Sequence, residues 1–241
     1  MSRGLGDVYK RQRLANLFES AMETLDKKLS YARYQAIAYL KPEAANGLYD
    51  NAELISRSLA GIRKNGLVKR LESSFYAFQI SLNNFRQANQ NMIDMFNRDK
   101  VFIAPDLDIN NLLEAGLSDE EIEEKLNAKA EENPKNSVFK ADDFDPEYIE
   151  LLQQDQEILE KLYKDWEGIT DEDDSKFAKF NELLKHELFK VERNPEQKLV
   201  VFSESVDTVK YLERRINRKD VLVISADNRS CLLYTSPSPR D

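Results

Sequence analysis

The sequence predicts a mainly α protein with a C-terminal α/β stub, in which long amphipathic helices precede one strand–helix–strand unit. Apolar residues recur at steps of three and four over most of the chain, which places them on one face of a helix. Glycine is scarce, with 7 in 241 residues, and this disfavours sandwiches and barrels that need many tight turns. Two continuous apolar runs near the C-terminus flank a helical stretch, a pattern typical of a parallel sheet buried on both faces.

The first half of the chain is predicted to form three helices. The first covers residues 13–41 and ends before Pro42, since a residue that precedes proline avoids helical backbone angles. The second covers residues 52–64, with Gly66 as its stop. The third is one helix of about eight turns with a single apolar stripe, which we assign to the core rather than to a cofactor site. This stripe comprises Leu67, Leu71, Phe75, Phe78, Leu82, Phe85, Met92 and Phe96.

The middle of the chain carries further helix signals. The stretch VFIAPDLDIN breaks the helical pattern, and Ser118 with Glu121 then forms an S-x-x-E capping box. Asp145 is expected to cap the next helix, with Pro146 in its first turn, where proline is tolerated. Another helix is predicted over about residues 173–190.

The character of the sequence changes at Asn194-Pro195. KLVVFSES is a β-branched and aromatic run, the residues that follow it up to Arg218 are predicted to be helical, and DVLVISA is a second apolar run. Two strands cannot form a buried parallel sheet alone. We therefore expect the apolar side chains of residues 191–230 to stay partly exposed.

The two ends of the chain share an origin at the level of DNA. A coding string that the genetic code permits for the last eleven residues, CLLYTSPSPRD, has a reverse complement that translates as SRGLGDVYKR followed by His or Gln. Residues 2–12 read SRGLGDVYKRQ, and the string is similar to a transposon-type sequencing-library adapter. We therefore expect residues 1–12 and 231–241 to be adapter-derived artefacts, and residues 13–230 to be a natural segment with both ends cut.

Composition disfavours several classes of function. The only cysteine, Cys231, lies in the second tail, so no disulfide framework, zinc finger or catalytic thiol is predicted. The net charge of −9 becomes −11 without the tails, which carry two net positive charges, and it disfavours non-specific nucleic-acid binding by the whole chain. The only histidine, His186, has no second ligand, and no metal site is predicted. No apolar run approaches the ~20 residues that span a bilayer, so no membrane partner is expected. The lack of cysteine in the natural segment suits a reducing cytosol, and we expect a cytoplasmic protein.

Several stretches, taken in order, carry a resemblance to one family: RKNGLVKRLESSFYAF, the helix that ends MIDMF, VFIAPDLDINNLLEAG, KLVVFSESVDTVKYL and VLVISADNR. Together they resemble bacterial Swi/Snf-type, RapA/HepA-like superfamily-two helicases, and more narrowly the helicase-related proteins with a phospholipase D-like region. The resemblance implies that residues 13–190 form the helical region between two RecA-like motor lobes. It also implies that residues 191–230 are the truncated start of the second lobe, with Lys198–Ser203 as its opening strand.

The same resemblance implies a parent protein that binds ATP and Mg²⁺ between its lobes and moves along duplex nucleic acid, with DNA favoured over RNA. The chain itself has no G-x-x-x-x-G-K-[ST] loop to cradle phosphates, and its acidic pairs do not follow an apolar strand, where they could hold Mg²⁺. We therefore expect it to be an inactive part of an ATP-dependent helicase or translocase, with no cofactor of its own. The alternative is a stand-alone helical scaffold or protein-interaction module without enzymatic activity.

Two groups of residues are candidates for nucleic-acid contact. The first is a basic cluster in an acidic chain, since lysine and arginine displace the counterions condensed on a phosphate backbone. Its members are Arg57, Arg63, Lys64, Lys69 and Arg70. The alternative is a solvated helix face, with Lys69 paired to Glu72. The second group is Ser203, Glu204 and Ser205, which lie at the carboxyl end of the predicted strand, where ligand sites form in α/β folds. The alternative is that these three residues only end the strand and cap the helix that follows it.

Overall fold

The computed structural model describes residues 3–49, 51–104, 107–114, 119–130, 132–216, 218 and 220–224. Over these residues the prediction of a mainly α chain with a small α/β part is confirmed. The α-helices are α1 (Arg3–Glu23), α2 (Pro42–Ala45), α3 (Ala52–Ser73), α4 (Phe75–Asn97), α5 (Ile109–Glu114), α6 (Asp119–Ala130), α7 (Pro146–Glu167), α8 (Ser175–His186) and α9 (Val206–Ile216). A π turn occupies Thr24–Lys28, and 3-10 turns occupy Ala32–Ala38, Ala141–Asp143 and Asp171–Asp173.

The predicted first helix is wrong in its length. Helix α1 ends at Glu23, and the chain turns at Tyr31, whose φ of 57° lies in the left-handed region. The buried carboxylate of Asp155 in α7 accepts hydrogen bonds from the backbone N–H of Ser30 (2.8 Å) and of Ala32 (2.9 Å). Because these N–H groups bond to a side chain, they cannot extend the i→i−4 ladder of a helix. A short 3-10 helix therefore replaces the end of the predicted helix.

The apolar stripe predicts one helix from Leu67 to Phe96. The structure instead has two helices, α3 and α4, with Ser74 between them. Gly66, the predicted stop, lies inside α3, where glycine costs only about 1 kcal/mol relative to alanine. The Ser74 Oγ accepts a hydrogen bond from the N–H of Ala77 at 3.0 Å, which makes Ser74 the N-cap of α4. A glycine only permits a helix to end, whereas this serine supplies an acceptor that starts a new one.

The two strands found among the described residues lie outside the predicted strand–helix–strand unit. Strands β1 (Val101–Ile103) and β2 (Ser137–Phe139) pair antiparallel, with Phe102 opposite Val138. Strand β1 begins the stretch that breaks the helical pattern of the sequence. The small β component therefore belongs to the helical part of the chain.

The C-terminal apolar runs differ from their predicted conformation. Residues 198–203 and 221–224 carry no strand, and residues 225–226 of the second run lie outside the described residues. The helix between the runs, α9, forms as predicted. Among the described residues neither run pairs with another strand, so no ladder of N–H and C=O groups stabilises an extended strand there. As expected, the first run is exposed, and Phe202 is 91% accessible.

Other helix starts follow the sequence signals. Asp145 is the N-cap of α7, with its side chain accepting from the N–H of Glu147 at 3.0 Å, and Pro146 occupies the first helical position. This confirms the predicted start of α7. Helix α8 begins after Asp174, whose carboxylate accepts from the N–H of Phe177 at 2.9 Å. Ser118 of the predicted capping box lies outside the described residues.

The predicted adapter tails are described only in part. Helix α1 begins at Arg3, so residues 3–12 are helical, whereas residues 1–2 and 231–241 lie outside the described residues.

The chain divides into two compact units. Unit 1 comprises Met1–Lys69 and Ser81–Gly168, and unit 2 comprises Arg70–Ile80 and Ile169–Asp241. The domain boundary at residues 190 and 191, which the resemblance implies, stays a prediction.

Each unit has its own buried aromatic cluster. In unit 1 the rings of Phe96, Phe144 and Tyr148 have centroids 5.0–5.5 Å apart. In unit 2 the ring of Tyr211 stacks on Tyr76 at 5.4 Å. The core of unit 1 also includes Ala32, Ala36, Leu40, Met92, Ile93, Met95, Val101, Phe102, Ile109, Ile122, Phe139 and Leu152.

Candidate nucleic-acid interface

The basic cluster of α3 is divided between the two units. Unit 1 holds Arg57, Arg63, Lys64 and Lys69, and unit 2 begins with Arg70. The Arg57 guanidinium lies 3.4 Å from the carboxylate of Glu53, one turn earlier in α3, and both side chains are exposed. An exposed pair at this spacing contributes little to stability. It does reduce the net positive charge that the start of α3 offers to a phosphate.

Lys64 is held by Asp26. Its Nζ lies 2.6 Å from Asp26 Oδ1 and also donates to the Asp26 backbone carbonyl at 2.9 Å. The hydrogen bond from Lys64, together with its positive charge, holds the pKa of the Asp26 carboxyl below its ordinary value. The ammonium group is therefore neutralised within unit 1, which makes Lys64 a weaker phosphate ligand than its sequence position indicates.

Arg63 keeps its charge and has a fixed position. Its guanidinium lies 5.0 Å from the centre of the Tyr34 ring, and that ring packs against Phe85 at 5.5 Å. A cation–π contact restrains the guanidinium without neutralising it. Arg63 is exposed, as is Lys69, whereas Arg70 is half-buried.

The exposed side of α3 also carries aliphatic residues among these cations. We name the α3 surface the four exposed side chains Leu54, Ile55, Leu59 and Ile62. Leu54 is 67% accessible and Ile62 is 64% accessible. The sequence analysis missed this surface, because apolar residues at helical spacing are normally assigned to a core.

The second candidate group forms a helix cap in unit 2. The Ser205 Oγ accepts from the N–H of Thr208 at 3.2 Å, which makes Ser205 the N-cap of α9. The Ser203 Oγ accepts from the N–H of Ser205 at 3.2 Å. Ser205 is buried, whereas Glu204 between them is exposed. The hydroxyl groups thus serve the turn itself, in the manner of the capping alternative.

A cavity of about 220 Å³ lies beside this turn in unit 2. It is lined by Ser73, Ser74, Asp174, Lys176, Phe177, Phe180, Val201, Phe202, Ser203, Thr208, Tyr211 and Leu212. Ser73 and Thr208 share a hydrogen bond between their hydroxyls at 3.1 Å. Burial raises the pKa of the Tyr211 hydroxyl, and the negative charge of Asp174 adds to the effect. The lining thus combines one carboxylate, Asp174, with one ammonium group, Lys176, and does not select for an anion.

Asp155 is a buried charged group that the sequence analysis missed. Burial raises the pKa of its carboxyl, and the N–H groups of Ser30 and Ala32 act in the opposite direction. A signal exists in the sequence, because Asp155 is three residues from Leu152 and four from Leu159, on the apolar stripe of α7. A carboxylate on the buried face of a helix needs donors from elsewhere in the chain.

The described residues hold no group of three or more side chains suited to a metal ion. His186 is the last residue of α8. None of the helices within the described part combines the length and apolar character of a membrane-spanning segment.

The chain matches no protein-family model, no curated protein sequence and no solved structure. The helicase resemblance therefore remains an interpretation of the residues.

Proposed function

We propose that the chain is the helical region between the two motor lobes of a bacterial Swi/Snf-type, RapA/HepA-like ATP-dependent helicase or translocase, followed by the start of the second lobe. In this proposal the parent protein is cytoplasmic and moves along duplex nucleic acid, with DNA favoured over RNA. ATP and Mg²⁺ bind to parts of the parent that the chain does not contain, so the chain alone has no ATPase activity.

The observation that carries this proposal is the pair of exposed apolar runs on either side of α9. Val200, Phe202, Leu222 and Ile224 are each more than half exposed, although α9 between the runs is capped and packed through Tyr211. Leaving apolar surface in water costs roughly 25 cal/mol per Å². Two such runs around a helix suit a strand–helix–strand unit whose neighbouring strands lie elsewhere in a larger sheet.

Within this proposal the candidate contacts are not equivalent. Arg63 is the best placed for a phosphate, because it is exposed and held by Tyr34. Lys64 is occupied by Asp26, and Ser205 is buried as a helix cap. Lys69, Arg70, Ser203 and Glu204 stay candidates by their position in the sequence.

The test begins with the source DNA, read outward across both predicted adapter junctions. We expect a Walker-type phosphate loop upstream and a Q-x-x-G-R-x-x-R-like motif downstream, both in frame. The extended protein should hydrolyse ATP faster with duplex DNA than without it. Its matched control is the extended protein with the Walker lysine changed to alanine, which should lose the activity. Stop codons at both junctions, with no motor motifs, would reject the proposal.

A stand-alone interaction module is the second candidate, and the α3 surface favours it. Four aliphatic side chains on one exposed helix face are more than the scattered apolar residues normal for a protein surface. This candidate predicts no motor motifs in the flanking DNA.

A further inference from the structure

The first apolar run of unit 2 has unpaired backbone groups as well as exposed side chains. The exposed fraction alternates along the run, with values of 39%, 72%, 48% and 91% for Leu199, Val200, Val201 and Phe202. This period of two is the period of a β-strand. Within the described part of the chain, no hydrogen bond reaches the backbone N–H or C=O groups of these residues. The run therefore has the properties of an open strand edge.

One edge of the run is occupied at its start by Asn194. The Lys198 N–H donates to Asn194 Oδ1 at 3.3 Å, and the Lys198 C=O accepts from Asn194 Nδ2 at 3.0 Å. In a strand, the N–H and C=O of one residue point to the same edge, and those of the next residue point to the opposite edge. When the run pairs as a strand, its even-numbered residues therefore share the edge that Asn194 occupies. The open edge belongs to the odd-numbered residues from 199 to 203.

The sequence of the run is complementary to itself when two copies lie antiparallel. The stretch KLVVFSE has lysine at one end, Lys198, and glutamate at the other, Glu204. With Val201 on a twofold axis, each Lys198 lies opposite Glu204 of the second copy, and each Phe202 lies opposite Val200. Opposite charges and aromatic–β-branched pairs are cross-strand pairs that stabilise a sheet. A parallel pairing in register instead places lysine opposite lysine and glutamate opposite glutamate.

The open edge and this register agree with each other. Residues of an antiparallel pair alternate between hydrogen-bonded and non-hydrogen-bonded pairs, and the side chains lie closer in the second kind. Because the open edge includes Val201, Val201 forms a hydrogen-bonded pair, and Lys198 with Glu204 forms a non-hydrogen-bonded pair. Within one chain, Lys198 Nζ lies 3.9 Å from the carboxylate of Glu196, and both side chains are highly exposed. Such a contact contributes little to stability, so pairing with a second copy replaces it at small cost.

We infer that residues 198–204 are a self-association segment, through which two copies of this chain pair as antiparallel strands about a twofold axis at Val201. A segment this short covers much less than the roughly 800 Å² per partner of a stable interface, so the dimer forms at high concentration and dissociates on dilution. This inference concerns the 241-residue chain itself and does not rest on the motor function proposed above.

A second copy fits the segment better than other occupants do. Duplex nucleic acid and anionic membranes repel a chain of net charge −9, and the segment adds no net positive charge. A strand of an unrelated protein supplies backbone partners, but a second copy necessarily brings the opposite charge for both Lys198 and Glu204. Charge complementarity of this kind fixes the register of the pair.

The test measures self-association of the full chain by sedimentation equilibrium over a range of concentrations. Lys198→Glu places glutamate opposite glutamate, and Glu204→Lys places lysine opposite lysine, so each should weaken the dimer about fivefold or more. The double variant, Lys198→Glu with Glu204→Lys, exchanges the two charges and should restore the dimer. An equimolar mixture of the two single variants should also restore it, because each substituted residue then meets the opposite charge on the second copy.

The backbone part of the pairing has its own test. Val201→Pro removes the N–H group at the twofold axis and should abolish the dimer. Its matched control is Leu222→Ser, at an exposed side chain of the second apolar run, which should leave the dimer unchanged. Hydrogen exchange followed by nuclear magnetic resonance at high protein concentration should protect the amides of the odd-numbered residues from 199 to 203. The amides of residues 200 and 202 should stay unprotected, because they point to the other edge.

Circular dichroism should give the same helical signal for all of these variants, because each changes a side chain outside the helices. The inference is overturned if the chain stays monomeric at every concentration, or if the double variant and the mixture associate no better than the single variants. It is also overturned if the single charge variants associate as tightly as the parent chain, which indicates a parallel or non-specific contact. Leu222→Ser weakening the dimer as much as Val201→Pro would reject it as well.

Discussion

In unit 1, apolar side chains from several helices and both strands enclose Phe96, Phe144 and Tyr148. In unit 2, most apolar side chains of residues 199–202 and 221–224 are exposed on either side of α9. The difference follows from how helices and strands form the hydrogen bonds of their backbone N–H and C=O groups. A helix bonds its own N–H and C=O groups and needs only one packed face, which α9 obtains through Tyr211. A buried strand needs neighbours on both edges and cover on both faces. Composition alone therefore does not bury an apolar run.

Hydrogen exchange should give the largest difference between the two regions. Amides of α7 between Leu152 and Leu162 should be protected at least about 10³-fold more than those of residues 199–202. The helix amides are bonded within a buried helix, whereas the run has no ladder. Equal protection of the two segments, measured by mass spectrometry on the full chain, would show that the run is covered in solution.

Core truncation should separate the two regions by stability. Leu152→Ala removes a fully buried side chain from unit 1 and should lower the free energy of unfolding by about 2–5 kcal/mol. Leu222→Ala removes an exposed side chain and should change it by no more than about 0.5 kcal/mol. Urea titration followed by circular dichroism measures both. Similar costs for the two variants would contradict the contrast between the units.

Asp155→Ala tests whether a buried carboxylate shapes the turn at Tyr31. The substitution leaves the N–H groups of Ser30 and Ala32 without their acceptor and should cost about 1–3 kcal/mol. Asp155→Asn should cost less, because its amide retains one acceptor oxygen. Gln154→Ala, at an exposed neighbour on α7, is the control and should have almost no effect. If the Asp155→Ala protein is as stable as the control, Asp155 does not stabilise the turn at Tyr31.

The smallest expected effect concerns the pair formed by the half-buried Lys64 and the exposed Asp26. The pKa of Asp26 is lowered in the folded state, so its contribution to stability is present above its unfolded pKa of about 3.9. That contribution is lost as the pH falls through the folded value. In the Lys64→Gln variant, the loss of unfolding free energy that comes from protonating Asp26 should disappear. In the unsubstituted chain, added salt should make this loss smaller. Urea titrations between neutral and acidic pH make the comparison, and an unchanged pH profile in Lys64→Gln would contradict it.

Local signals in the sequence predicted the elements that depend on neighbouring residues. Asp145 and Pro146 marked the start of α7, because a cap involves only groups a few residues apart. The same kind of signal at Ser74 was outweighed by the continuous apolar stripe on both sides of it. The stripe reports which face is buried, and it does not report whether the backbone is interrupted.

The candidate site was less predictable than the fold. Arg63 and Lys64 are adjacent in the sequence and both basic, yet one lies against an aromatic ring and the other is paired with a carboxylate. Both partners, Tyr34 and Asp26, are about thirty or more residues away along the chain. The charge of a cluster can be counted from the sequence, but its availability depends on these distant partners.

The helical class, the capped start of α7 and the position of α9 could be predicted from the sequence, because helices form their hydrogen bonds locally and the spacing of apolar residues shows the buried face. The end of α1, the burial of apolar segments and the neutralisation of cations could not, because they depend on tertiary contacts. Each of these depends on groups that are remote in sequence: the carboxylate of Asp155 for the turn at Tyr31, and the carboxylate of Asp26 for Lys64. Most apolar side chains of the runs beside α9 stay exposed, because no neighbouring strand among the described residues pairs with them.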